Sequence, residues 1–93
     1  MRFDWDPSKN ELNQKKHGIS FEDAVFVFAD KNALSIYDEE NSDSEDRWIT
    51  IGMIPNTKIL VVIHTDRFGH DKNTIRLISA RKATKQEIKQ YFK

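Results

Sequence analysis

The residues with the clearest chemical potential are cations gathered in the second half of the chain. They are Arg47, Arg67, Arg76, Arg81 and Lys82, with His64 as a titratable ring and Ser79 as a lone hydroxyl. Three of the cations and the hydroxyl fall in residues 75–84, Ile-Arg-Leu-Ile-Ser-Ala-Arg-Lys-Ala-Thr. The apolar residues of that run want a core, whereas a guanidinium resists burial without an anion beside it. Either an acidic partner waits inside the fold, or the arginines face an anion from outside. Phosphate suits a planar, five-donor guanidinium best. If that phosphate belongs to RNA, the ribose 2′-hydroxyl is the nucleophile. The protein then has only to accept a proton from it, protonate the leaving 5′-oxygen and stabilise the phosphorane.

Other chemistries find less support. The chain has no cysteine, hence no thiolate ligand, disulfide or cysteine nucleophile. Its three glycines form neither a phosphate loop nor a nucleophile elbow. Residues 38–46 hold six carboxylates without a cation, but lack the glycine and ligand spacing of a calcium loop. They read as a solvated hairpin loop, or as a counterweight that repels RNA from the wrong face. His70, among Asp66, Arg67 and Asp71, matches no metal motif. No metal or other cofactor is expected. His17 precedes a helix-ending glycine, where the helix dipole accounts for it. His64 ends the most hydrophobic strand. It is either a core histidine bonded to a backbone carbonyl, or a proton-transfer group or phosphate ligand.

The elements that would position these groups follow from periodicity and caps. Residues 2–5 read as a short strand. Asp6-Pro7 opens a polar helix that Lys15-Lys16-His17-Gly18 closes. That helix must be exposed or cover something polar. Ser20 caps a second helix, with Phe21, Ala24, Val25 and Phe28 as its core stripe. Residues 33–37, 47–54, 58–65 and 74–82 read as strands, the last three an antiparallel meander. Thr84 and Glu87 form a capping box for a C-terminal helix. The expectation is one α+β domain over residues 1–93: two N-terminal helices, an antiparallel sheet of about four strands and a C-terminal helix. Strict alternation along 75–82 puts Arg76 and Lys82 on one face and Ser79 and Arg81 on the other. The two arginines share a face only if the strand bulges or twists near Ser79-Ala80.

Formal net charge is zero, but residues 1–46 carry five Lys/Arg against twelve Asp/Glu, and residues 47–93 ten against three. The halves either neutralise each other or make a basic face suited to nucleic acid. Arg47, Arg76 and Arg81 pairing with the acidic 38–46 segment is a third option. A chain of 93 residues sits near the low end for one self-sufficient core, so a partner or a homodimer would help it. The longest apolar run, 59–63, is too short to span a bilayer, and no export signal is visible, so no membrane association and a cytoplasmic location are expected.

Ordered blocks along nearly the whole chain resemble the BrnT family of bacterial toxins. They are Phe3-Asp4-Trp5-Asp6-Pro7-Ser8-Lys9, Asn13 to Lys16 with His17-Gly18-Ile19-Ser20-Phe21-Glu22, Val27-Phe28-Ala29-Asp30, Arg47-Trp48-Ile49-Thr50-Ile51-Gly52, Val61-Val62-Ile63-His64-Thr65, and Arg76-Leu77-Ile78-Ser79-Ala80-Arg81-Lys82-Ala83-Thr84. The resemblance implies a fold like that of RelE-type ribonucleases and RNA cleavage without metal. It also implies neutralisation by a BrnA-type antitoxin, which alone contacts operator DNA. It places the chemistry on Arg76 and on Arg67 in the preceding loop. Where relatives often carry an acidic residue just before the Arg76 position, this chain has Asn73 and Thr74. The candidates for the general base are therefore His64, Asp71 and His70, in that order. Arg81, Lys82, Arg47 and Ser79 are the expected RNA contacts. The alternative is a binding module without enzymatic activity that docks RNA, DNA or a partner through the basic half.

Overall fold

A computed structural model describes residues 2–43, 45–65 and 74–93. Strands β1 (Arg2–Asp4), β2 (Leu34–Tyr37), β3 (Arg47–Met53), β4 (Ile59–Thr65) and β5 (Thr74–Lys82) form one sheet in the order β1-β5-β4-β3-β2. Helices α1 (Pro7–His17), α2 (Phe21–Ala24) and α3 (Lys85–Tyr91) pack on it, so the class is α+β. The strands β2 to β5 are antiparallel neighbours, as the short turns require. The fifth strand is the departure from expectation. β1 runs parallel to β5, with Phe3 opposite Ile75. Three alternating residues cannot announce a partner seventy positions away. What selects it is Phe3, whose ring packs against Phe28 at 5.3 Å.

The two faces of the sheet bury different sets. On one, Leu60, Val62, Ile75, Leu77 and Ala80 meet Ile19, Phe21, Ala24 and Val27. On the other, Ile51, Ile59 and Val61 meet Tyr91 of α3, with Ile49, Met53 and Ile88 alongside. The stripe of the second helix is spaced differently from expectation. After Ala24 the chain tightens into a 3₁₀ turn, Val25–Ala29. With three residues per turn, Phe21, Ala24 and Val27 become the fully buried set, and Phe26 faces out. The 3₁₀ turn lies close on β3: a Cβ at Gly52 would sit 2.9 Å from Val27 Cβ and 3.1 Å from its carbonyl oxygen.

The caps follow the sequence. Asp6 accepts from Ser8 N, and Gly18 closes α1 at φ 72°. Thr84 and Glu87 make the reciprocal box on α3. The polar α1 covers something polar, as it must. Its buried residues are Asn10 and Asn13. Asn13 Nδ2 donates to the carbonyls of Ile19 and Ala80, both at 2.8 Å, and its Oδ1 accepts from Ala80 N at 3.1 Å. β1 accompanies β5 only through Thr74–Arg76, so beyond that point the carboxamide of Asn13 stands in for the missing strand. Asn10 Oδ1 accepts from Phe21 N, and its Nδ2 donates to Glu22. At the far end of the sheet, Asp30 Oδ2 accepts from Met53 N and from the Tyr91 hydroxyl, tying α3 to β3. Burial pushes the Asp30 carboxyl up, but the bonds from Tyr91, Met53 and Asn32 outweigh it and hold it below its ordinary value.

Three outcomes test this scaffold. Asn13→Asp deletes two donated bonds and sets an anion against two carbonyls, so it should cost about 2–4 kcal/mol in chemical denaturation. A change under about 0.5 kcal/mol would show that Asn13 is not the anchor. Gly52→Ala forces backbone apart and should cost about 1–3 kcal/mol, read the same way. Glu87 has its carboxyl lowered to about 2 from 4.5, first by the hydrogen bond from Arg81 and despite some burial. A depressed carboxyl stabilises above its unfolded value and loses that contribution as pH falls. The stability gap between wild type and Glu87→Gln should therefore be full above about 4.5 and vanish towards about 2. Partial exposure limits it to roughly 1 kcal/mol. An unchanged gap at pH 3 would refute the assignment.

Candidate functional site

The register of the sheet builds a row of side chains across four strands. Arg47 of β3 lies opposite Thr65 of β4, and Asp4 of β1 lies opposite Arg76 of β5. Between them, His64 pairs with Leu77, and Arg76 N donates to Thr65 Oγ1 at 3.1 Å. Alternation puts all four on the face that α3 partly covers, because Phe3, Trp48, His64 and Leu77 are their neighbours on the other. Two strand spacings set the Arg47 and Arg76 backbones roughly 10 Å apart, with the Thr65 hydroxyl between them.

The flanking charges hold rather than neutralise this pair. Arg76 Nη1 lies 3.8 Å from Asp4 Oδ2, and Arg47 Nε lies 3.9 Å from Glu45 Oε1. Arg47 Nε is nevertheless buried and makes no hydrogen bond among the described residues. A buried donor without an acceptor is uncommon. Among the described residues the carboxylate beside Arg76 is thus Asp4, and the 38–46 segment supplies Glu45 as the carboxylate beside Arg47.

A bulge of the kind that would let the two arginines share a face is present at Ile78. Ile63 pairs with Ser79 but His64 pairs with Leu77, which leaves Ile78 unopposed. The extra residue resets the alternation, so Leu77 and Ala80 both reach the same core and Arg81 emerges on the side of Arg76. The two arginines do not converge, however. Five residues of strand separate them by roughly 16 Å. Arg81 instead makes a two-pronged pair with Glu87, Nη1 to Oε1 at 2.8 Å and Nη2 to Oε2 at 2.9 Å, which fastens α3 to the sheet.

The other expected site residues scatter. Lys82 is exposed at the end of β5, on the opposite face by alternation from Arg81. Ser79 borders a hollow of about 240 Å³ beside Lys9, Lys16 and His17 of α1, away from the row. His64 is 3% exposed and turned towards the helix-covered core, with the Phe28 ring 4.8 Å away. It lies on the opposite face of the sheet from Arg47 and Arg76, in the setting expected of a core histidine bonded to a backbone carbonyl. Its Nδ1 lies 2.9 Å from the Thr65 carbonyl oxygen and its Nε2 2.6 Å from Thr50 Oγ1. A carbonyl only accepts, so Nδ1 carries the hydrogen. Thr50 Oγ1 in turn lies 2.8 Å from Ser35 Oγ. This chain grips the backbone of Thr65, which in turn binds that of Arg76. Arg67, His70 and Asp71 lie outside the described residues.

Asp4 and Thr65 fall inside the family blocks but are not among the expected site residues, and only register brings them to the row. The Asp30–Tyr91 bond spans sixty-one positions and leaves no sequence pattern. Among the described residues no three His, Asp or Glu side chains gather as a metal site, and no helix is long and apolar enough to cross a membrane.

Comparison with known proteins places these features in a family. The family model described as the ribonuclease toxin, BrnT, of type II toxin–antitoxin systems matches residues 5–87. No curated protein matches at a significant level. Among solved structures, the chain is similar to the Brucella abortus ribonuclease toxin, BrnT, with a TM-score of 0.69 and 26% identity, over 91% of this chain and 99% of that one. The row Arg47–Thr65–Arg76–Asp4 and the chain that grips it lie almost wholly within the matched span. The protein belongs to the BrnT family of ribonuclease toxins of type II toxin–antitoxin systems.

Proposed function

We propose that this protein cleaves RNA without a metal, by attack of the 2′-hydroxyl, at the row formed by Arg47, Thr65 and Arg76. The observation that carries the reading is the register that sets Arg47 and Arg76 on either side of Thr65, with Arg47 Nε making no hydrogen bond among the described residues. Two preorganised cations about 10 Å apart at their backbones can close on one phosphate and stabilise the charge that develops on it. Asp4 keeps Arg76 oriented and remains partly exposed, so an incoming phosphate can compete for the guanidinium. His64 is a positioning residue here: it holds Thr65, and through it the backbone of Arg76. Asp71, His70 and Arg67 belong to the segment that joins Thr65 to Thr74. Asp71 and His70 are the proposed proton-transfer groups, and Arg67 a further phosphate contact. Arg81 and Lys82 contribute at most to the wider electrostatic attraction for RNA.

An antitoxin partner comes with membership of the family. We further assign a BrnA-type antitoxin, whose acidic groups would satisfy the same two arginines, with operator DNA contacted only through it. Its presence would leave the toxin unable to take RNA.

The reading is tested with purified protein, RNA and EDTA. Wild type should release products ending in a 2′,3′-cyclic phosphate, and Arg47→Ala or Arg76→Ala should each lower the rate on the order of 10²–10³-fold. Activity that disappears in EDTA and returns with magnesium would overturn metal independence. Unaltered rates in both variants would remove the row from the chemistry. For His64→Gln the expected outcome is a slower reaction with the same pH–rate profile. Loss of one limb of that profile would make His64 a proton-transfer group after all.

A further inference from the structure

β2 is the outer strand of the sheet, and each of its four residues is exposed. Asp38 N donates to Arg47 O just beyond it. Antiparallel alternation then turns the backbone groups of Leu34 and Ile36 towards β3, and those of Ser35 and Tyr37 outward. Such an edge is a template for another strand unless something blocks it. Here the usual blocks are missing: β2 contains no charge, no proline and no bulge, and offers Leu34 and Ile36 on one face, 39% and 53% exposed.

We propose that two copies of this chain pair antiparallel through β2, about a dyad at Ser35, to make one continuous ten-stranded sheet. The occupant is a second copy because the edge is complementary to itself. With the dyad at Ser35, the outward N–H and C=O of Ser35 meet those of its counterpart. Leu34 lies opposite Ile36 of the other copy, so four exposed apolar side chains cover one another on a shared face. The charges match in the same register. Lys31 stands in the turn before the strand and Glu39 in the 3₁₀ turn after it, so the antiparallel pairing brings the lysine end of each copy to the acidic end of the other. The start of β2 also borders a hollow of about 620 Å³ with Lys31, Tyr91, Phe92 and Lys93 on its walls. The exposed 3₁₀ turn Glu39–Asn41 of the other copy falls beside it, bringing carboxylates to a recess whose walls hold two lysines and one aspartate, Asp30. Neither the row of arginines nor the ribonuclease reading enters this argument.

Sedimentation equilibrium of the whole chain tests the pairing. A short two-strand seam with polar flanks should give a dimer with a Kd on the order of tens of micromolar. Ile36→Lys, placed at an exposed site, should weaken it at least about tenfold, by putting a cation in the apolar seam. Lys31→Glu should weaken it as well, and adding Glu39→Lys to that variant should restore it. The charge swap keeps the test intact if circular dichroism shows Ile36→Lys to be unfolded. Wild type that stays monomeric to about millimolar concentration overturns the proposal. So does a dimer indifferent to both sets of changes. Protection of the Ser35 and Tyr37 amides from exchange only when an antitoxin is added would assign the edge to that partner instead, and would also overturn self-pairing.

Discussion

One carboxamide holds the frame on which the site is built. Asn13 bonds both backbone groups of Ala80 and the carbonyl of Ile19, and so closes the edge of β5 where β1 stops. Without it, a strand rich in Ile, Leu and Ala would present a bare edge just past its bulge. A backbone group left buried and unpaired costs about 1–3 kcal/mol, so a side chain that satisfies three at once outweighs the weak helix propensity of asparagine. This accounts for a helix that is polar nearly all round yet firmly placed. It is fixed by amide bonds at two buried asparagines rather than by an apolar stripe.

The bulge at Ile78 depends on that closure, and the site depends on the bulge. In a strand of strict alternation, Leu77 and Ala80 would point to opposite faces. The unopposed residue lets both enter one core and leaves Arg76 and Arg81 on the other side. The face they share is divided between two tasks. Near Lys82 it carries α3, secured by Arg81 to Glu87 and by Tyr91 to Asp30. Towards Thr74 it carries the row of Arg47, Thr65, Arg76 and Asp4.

Buried polarity beneath the row has a comparable effect. The hydrogen bonds from Ser35 through Thr50 and His64 to the Thr65 carbonyl form one continuous chain. Such a network is costly when broken, so it specifies the geometry of Thr65 from below. A histidine at the end of an apolar strand invites a catalytic reading. Here its burial on the helix-covered face makes it part of the support.

Local chemistry was legible in the sequence wherever one or two residues suffice for it. The caps at Asp6, Ser20 and Thr84, the glycine that ends α1 and the three long strands all follow from short-range sterics and hydrogen bonding, whereas alternation left the bulge in β5 as one of two options. The cationic character of β5 and the family blocks were equally plain. What tertiary structure alone decided is which faces and which partners these residues took. Register selected Asp4 for Arg76, Glu87 for Arg81 and Thr65 for the space between two guanidiniums, and it turned His64 away from all of them. A one-residue slip in pairing moves a side chain to the opposite face of a sheet. The sequence therefore determined that this chain carries arginines able to meet a phosphate, and the long-range pairing of strands determined which two of them stand together.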